Sequence, residues 1–148
     1  MTSLRIGIGL LALTGVLSGG PAVAQTVGNC PGDSGASSTS QPAWVLFDLG
    51  SATLKPEAKP TIAQAVATAK ARQAVKVCVV GQTDKLGDKN LNLQLARARS
   101  QAVAAEMVRN GLAADKIIIA ANPEAFGNMS FGSRDAQEKD RRVTIIFR

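Results

Sequence analysis

The chain has 148 residues, a formal charge of +6, 45% hydrophobic residues, only 3% aromatic residues, two cysteines and no histidine. Without histidine the commonest general base and metal ligand is missing, and two cysteines are too few for a thiolate zinc site; enzymatic activity, a metal and a cofactor are not expected. The bases are scattered and no aromatic residues interleave with them, so stacking on nucleic acid is unsupported, and charge alone implies only a mild attraction to anionic polymers.

Arg5 gives a short positive start, residues 6–16 are an apolar run, and Ala22-Val23-Ala24 has the A-x-A form. This is the pattern of a secretory signal peptide over 1–24, cut after Ala24. The run falls short of the ~20 residues that span a bilayer, and no second apolar stretch follows, so no transmembrane segment is expected in the mature chain. Residues 25–42 are rich in Gly, Ser, Thr and Pro and read as a flexible leader before a single domain over 43–148. An oxidising compartment favours pairing of Cys30 with Cys78, which would tie the leader to a strand and contribute about 4 kcal/mol in the chain-entropy model. The alternative is a small buried Cys78 and an exposed free thiol at Cys30.

Ala43-Trp44-Val45-Leu46-Phe47 fits a first strand, and residues 48–53 turn away from it with Gly50 and Ser51 as loop residues. A helical stretch from Pro56 to about Arg72 becomes regular near Pro60, because proline is tolerated only in a first turn. Ala58, Ile62, Ala65 or Val66, and Ala69 give it one apolar face. Residues 75–80 are β-rich and end at Gly81, a second strand. Asp88 or Asn90 caps a second helix that runs to Asn110 and stops at Gly111, with Leu95, Val103 and Met107, helped by Ala98 and Ala102, as its apolar stripe. Residues 117–120 read as a third strand, 122–139 as a long polar loop, and 142–147 as a terminal strand. Strands alternating with helices imply helices packed on a sheet.

Asp84 follows the second strand, and Arg99 stands fifteen residues later, about two turns into the second helix. A helical side chain leans toward its N-terminus, so Arg99 is expected to point back to the loop that bears Asp84. One acid and one base at a shared cleft suit a zwitterionic ligand, with an ammonium and a carboxylate on one carbon. The same pair could equally form an internal salt bridge that orients the loop on the helix.

Gly81, Thr83, Asp84, Gly87, Asn92, Leu95, Arg99 and Val103, closed by Asp140-Arg141-Arg142-Val143, resemble in order and spacing the OmpA-like (OmpA/MotB/Pal C-terminal) peptidoglycan-binding domain family, from about Trp44 to the C-terminus. The resemblance implies an α+β fold, a βαβαβ core with a mixed sheet of about four strands and two main helices packed on one face. It implies that Asp84 accepts hydrogen bonds from the ammonium of the stem-peptide diaminopimelate and that Arg99 pairs with its carboxylate, with Thr83, Asn92 and Arg141 completing the set. Asn92 could instead be a cap or turn residue, and Arg141 and Arg142 a solvated strand edge.

The implied role is non-covalent attachment to peptidoglycan, periplasmic and associated with the cell wall and outer membrane of a Gram-negative envelope. The second reading is a degenerate domain reused for contact with other envelope proteins. Several positions depart from the family pattern: Gln82 replaces His, Gly50 an Asp or Asn, Leu86 a Thr, Ala96 a Ser, Asp140 an Asn and Gln137 an Arg. Ala120-Ala121-Asn122-Pro123 replaces a Gly-rich turn. These thin the expected ligand shell, so weak binding to one stem peptide is expected, strengthened by the many repeated sites of a polymer.

Overall fold

In a computed structural model of the chain, residues 26–28, 30, 41–83, 88–122 and 140–148 are described. The elements run β1 (Thr26–Val27), β2 (Ala43–Leu46), α1 (Ala58–Ala71), β3 (Val77–Gln82), α2 (Lys89–Arg109), a short 3-10 turn (Ala114–Lys116), β4 (Ile117–Asn122) and β5 (Arg142–Phe147). They build one sheet in the order β1-β4-β3-β5-β2. β3 pairs parallel with β4 and antiparallel with β5, and β2 pairs antiparallel with β5. Four main strands in a mixed sheet and two helices make the α+β fold that the resemblance implies.

Alternation decides which side chains meet the helices. Val45, Val77, Val79, Ile119, Val143 and Ile145 share one face and form a single buried cluster with Ile62 and Val66 of α1 and Val103 and Met107 of α2. Burying each such side chain contributes roughly 1.5–3 kcal/mol, so this interface holds the layers together. The apolar face of α1 is the one its periodicity predicts, Ala58, Ile62, Ala65, Val66 and Ala69.

Three expectations are corrected. The buried residues of α2 are Ala96, Arg99, Ser100, Val103, Ala104, Glu106 and Met107, while Leu95, Ala98 and Ala102 are half-buried. The cause is Gly81: a Cβ there would overlap the Ala96 carbonyl and stand 2.5 Å from Ser100 Oγ, so α2 lies directly on the backbone of β3 and only small residues fit. The second strand begins at Val77 rather than Val75, because Val75 and Lys76 donate their amides to Arg148 O at 2.8 and 3.2 Å. Val75 is 72% exposed as a result.

The third correction concerns the leader. Thr26 and Val27 pair parallel with Ile118 and Ile119 on the outer edge of β4, and Gly28 N donates to Ile119 O at 3.2 Å. Cys30 is disulfide-bonded to Cys78 in β3, one strand further in, so the chain crosses β4 on the face opposite the helices. The leader is therefore part of the sheet at these positions: an open strand edge offers unpaired amides and carbonyls that a neighbouring segment satisfies. The expected signal peptide lies outside the described residues, as does nearly all of the polar loop at 122–139.

Candidate functional site

β3 ends at Gln82, and Thr83 behind it is buried, 1% exposed. Asp84 comes next in the sequence and lies outside the described residues. The chain re-enters α2 at Asp88, whose carboxylate accepts from Asn90 N at 2.9 Å and Leu91 N at 3.0 Å, satisfying two of the open amides of the first turn. Asn92 sits half-buried in that turn and donates its amide to Asp88 O at 2.9 Å. Among the described residues, then, Thr83 and Asn92 flank the loop that carries Asp84.

Arg99 is 0% exposed. Its Nε donates to Ser51 O at 2.8 Å, Nη1 to Gln82 O at 3.0 Å and Nη2 to Asp48 O at 2.9 Å. The guanidinium also lies 5.4 Å from the centre of the buried Phe47 ring. The rigid fork of an arginine suits such a multi-carbonyl grip, which a lysine point charge could not reproduce. Arg99 thus sews the β2–α1 loop to the end of β3: the guanidinium expected to point back to the Asp84 loop and to pair with a ligand carboxylate is a buried charge at the floor of this end of the sheet, held by backbone carbonyls. The loop it grips turns at Gly50, whose φ of +66° is the left-handed conformation that Gly, Asn and Asp tolerate. Gly at this position keeps the backbone turn that an Asp or Asn would make and loses the side chain.

Gln82 is the residue that sequence reasoning passed over as a mere departure. Its carbonyl accepts from Arg99 Nη1, and its side-chain Oε1 accepts from Arg142 Nε at 2.8 Å. It joins two cations on opposite faces of the sheet. Arg142 in turn lies over the Trp44 ring, 4.8 Å from its centre. Arg141, half-buried just before β5, accepts from Phe47 N at its carbonyl (2.9 Å), so it belongs to the same end of the molecule. Ser100 donates its hydroxyl to Ala120 O at 2.9 Å and ties α2 to β4.

The local signal for Gln82 was its place at the strand end beside the acid. Nothing in the sequence announced its second partner, sixty residues away. Among the described residues no cluster of His, Cys, Asp or Glu could hold a metal, and no helix is long and apolar enough to cross a membrane. This end of the sheet gathers fixed charges, amide groups and carbonyls, groups that can hold a polar ligand.

A model of the OmpA family matches residues 46–144. The chain belongs to the OmpA family. It is 34% identical over 101 residues to outer membrane protein P5 of Haemophilus influenzae, a match covering 68% of this chain and 28% of that protein. It is 33% identical over 105 residues to the probable lipoprotein YiaD of Escherichia coli strain K12, covering 68% and 46%. The matched region is therefore less than half of either relative's length. Among solved structures, the OmpA-like domain of FopA1 from Francisella tularensis aligns with a TM-score of 0.59 at 26% identity, covering 72% of this chain and 73% of that one. The peptidoglycan-associated lipoprotein of Burkholderia pseudomallei aligns at 0.63 and 19% identity, covering 72% and 90%, a likeness of fold. The OmpA-family segment takes in α1, β3, α2, β4 and the first half of β5, and with them Asp48, Ser51, Gln82, Thr83, Asn92, Arg99, Arg141 and Arg142.

Proposed function

We propose that this OmpA-family domain attaches non-covalently to peptidoglycan in the periplasm of a Gram-negative envelope, through the diaminopimelate residue of the stem peptide. The observation that carries the reading is the convergence on Arg99: a buried, permanently charged group gathers the Asp48–Ser51 loop and the end of β3 at one place, two residues before Asp84. In this proposal Asp84 takes the ligand ammonium by charge-assisted hydrogen bonds. Arg99 holds the loops that frame the pocket and supplies positive potential under the ligand carboxylate. Thr83, Asn92 and Arg141 border the same pocket. Binding leaves every bond of the wall intact. The family membership, and a fold neighbour named for its association with peptidoglycan, support the same reading.

The test is co-sedimentation of the mature protein with diaminopimelate-containing sacculi. Retention is expected, with displacement by soluble meso-diaminopimelate and not by lysine. Asp84→Ala should weaken retention by roughly ten- to a hundredfold, as loss of a hydrogen bond to a charged group implies, with the unfolding midpoint nearly unchanged. Wild-type retention by Asp84→Ala would remove this site from the proposal.

A further inference from the structure

Trp44 is the chain's single tryptophan, and in a domain so poor in aromatic residues its large apolar surface belongs in the core. It is instead 55% exposed, while Phe47, three residues on, is 1% exposed. The register puts it on the open face of the sheet, opposite Thr144, with Leu46 (41% exposed) opposite Arg142 on the same face. The indole is also oriented: Arg142 lies over its ring, and Arg142 is itself held by Gln82 Oε1, whose residue grips Arg99 on the other side. A chain of contacts therefore runs from the proposed stem-peptide pocket through the sheet to an exposed aromatic plate.

We propose that Trp44, Leu46, Arg142 and Thr144 form a platform for an N-acetylated sugar strand, the glycan of the same wall polymer. The proposal rests on the wall-binding reading and adds a second subsite to it. A pyranose ring presents a face of C–H groups that stacks on an indole, and the methyl of an N-acetyl group fits against Leu46. The Arg142 guanidinium and the Thr144 hydroxyl can bond ring hydroxyls and the acetamide oxygen. The position agrees: Trp44 in β2 lies four residues before Asp48, whose carbonyl receives Arg99, a span of about 13 Å at most in extended chain. The size agrees as well. Two apolar side chains interleaved with polar ones fall far short of the roughly 800 Å² a stable protein partner covers, and match one or two sugar rings.

With one tryptophan and no tyrosine, intrinsic fluorescence reads this platform alone. The experiment titrates the mature protein with peptide-free GlcNAc–MurNAc strands and, separately, with free stem peptide containing diaminopimelate. The strands are expected to shift or quench Trp44 emission, and soluble diaminopimelate to leave that signal in place. Trp44→Ala should lower retention on sacculi by about three- to tenfold, the range of an aromatic contact, with free stem-peptide affinity kept, and Trp44→Phe should restore most of it. Stem-peptide binding with no response to the strands overturns the platform and leaves the wall-binding site standing. Failure of both ligands overturns both readings. Emission that shifts with protein concentration alone marks a second copy as the occupant and overturns the sugar assignment.

Discussion

On the helix-covered face of the sheet Arg99 is wholly buried and donates to three backbone carbonyls, whereas on the open face Arg142 is half-buried over an indole that is 55% exposed. Both guanidinium groups pair with an aromatic ring, and both bond to Gln82. The difference lies in what covers them. Under α2 a charge survives only if its donors are satisfied by fixed acceptors, so Arg99 is built into the architecture. On the open face water does part of that work, and Arg142 is left able to change partners. In this domain the helix face makes the scaffold, and the open face carries the proposed sugar platform.

The comparison breaks first at Gly81. Gly81→Ala drives a methyl into the Ala96 carbonyl, and an expected loss on the order of 5 kcal/mol, comparable with the whole stability of a small domain, should show as insoluble or unfolded protein by circular dichroism. Arg99→Ala removes a buried charge and strands three carbonyls; roughly 3–5 kcal/mol should be lost in urea unfolding. Arg99→Lys should recover only part of this, because lysine lacks the fork. A small loss for Arg99→Ala would mean that the helix face tolerates an empty carbonyl cage, and the contrast with Arg142 would collapse.

On the open face the largest effect belongs to the disulfide. Reduction of Cys30–Cys78, or Cys30→Ser with Cys78→Ser, should cost about 2–4 kcal/mol and release the amide of Gly28 to rapid hydrogen exchange, since the two-residue strand β1 then loses its covalent clip. Arg142→Ala should cost about 1–2 kcal/mol, the loss of one cation–π contact and of the donor to buried Gln82. Thermal scans compare it directly with Arg99→Ala. Equal losses at the two arginines would say that the faces differ less than their burial implies.

Much of the fold was legible because its signals are short in range. The apolar spacing of α1 named its buried face, Asp88 capped α2, and Gly111, at φ +85°, stopped it. The α2 stripe was misread at Leu95 because hydrophobicity favours leucine, while the close approach at Gly81 favours Ala96 and Ser100. At the site, spacing put Arg99 on the correct element and turn. It could not foresee that the side chain would be enclosed, since two of its acceptors, Ser51 and Asp48, come from a loop 48 and 51 residues earlier.

The sequence alone determined the order of the four main strands and two helices, the cap of α2 and the family motif, because periodicity, capping and spacing act within a few residues of one another. The tertiary structure decided the rest. It selected disulfide pairing over the free thiols that the sequence left open, and it made part of the leader a strand on β4. It turned Arg99 into a buried anchor and left the single tryptophan in solvent. These depend on which distant backbone reaches a given edge or cavity, and long side chains take their hydrogen-bond partners from whatever the packing of the sheet brings within reach.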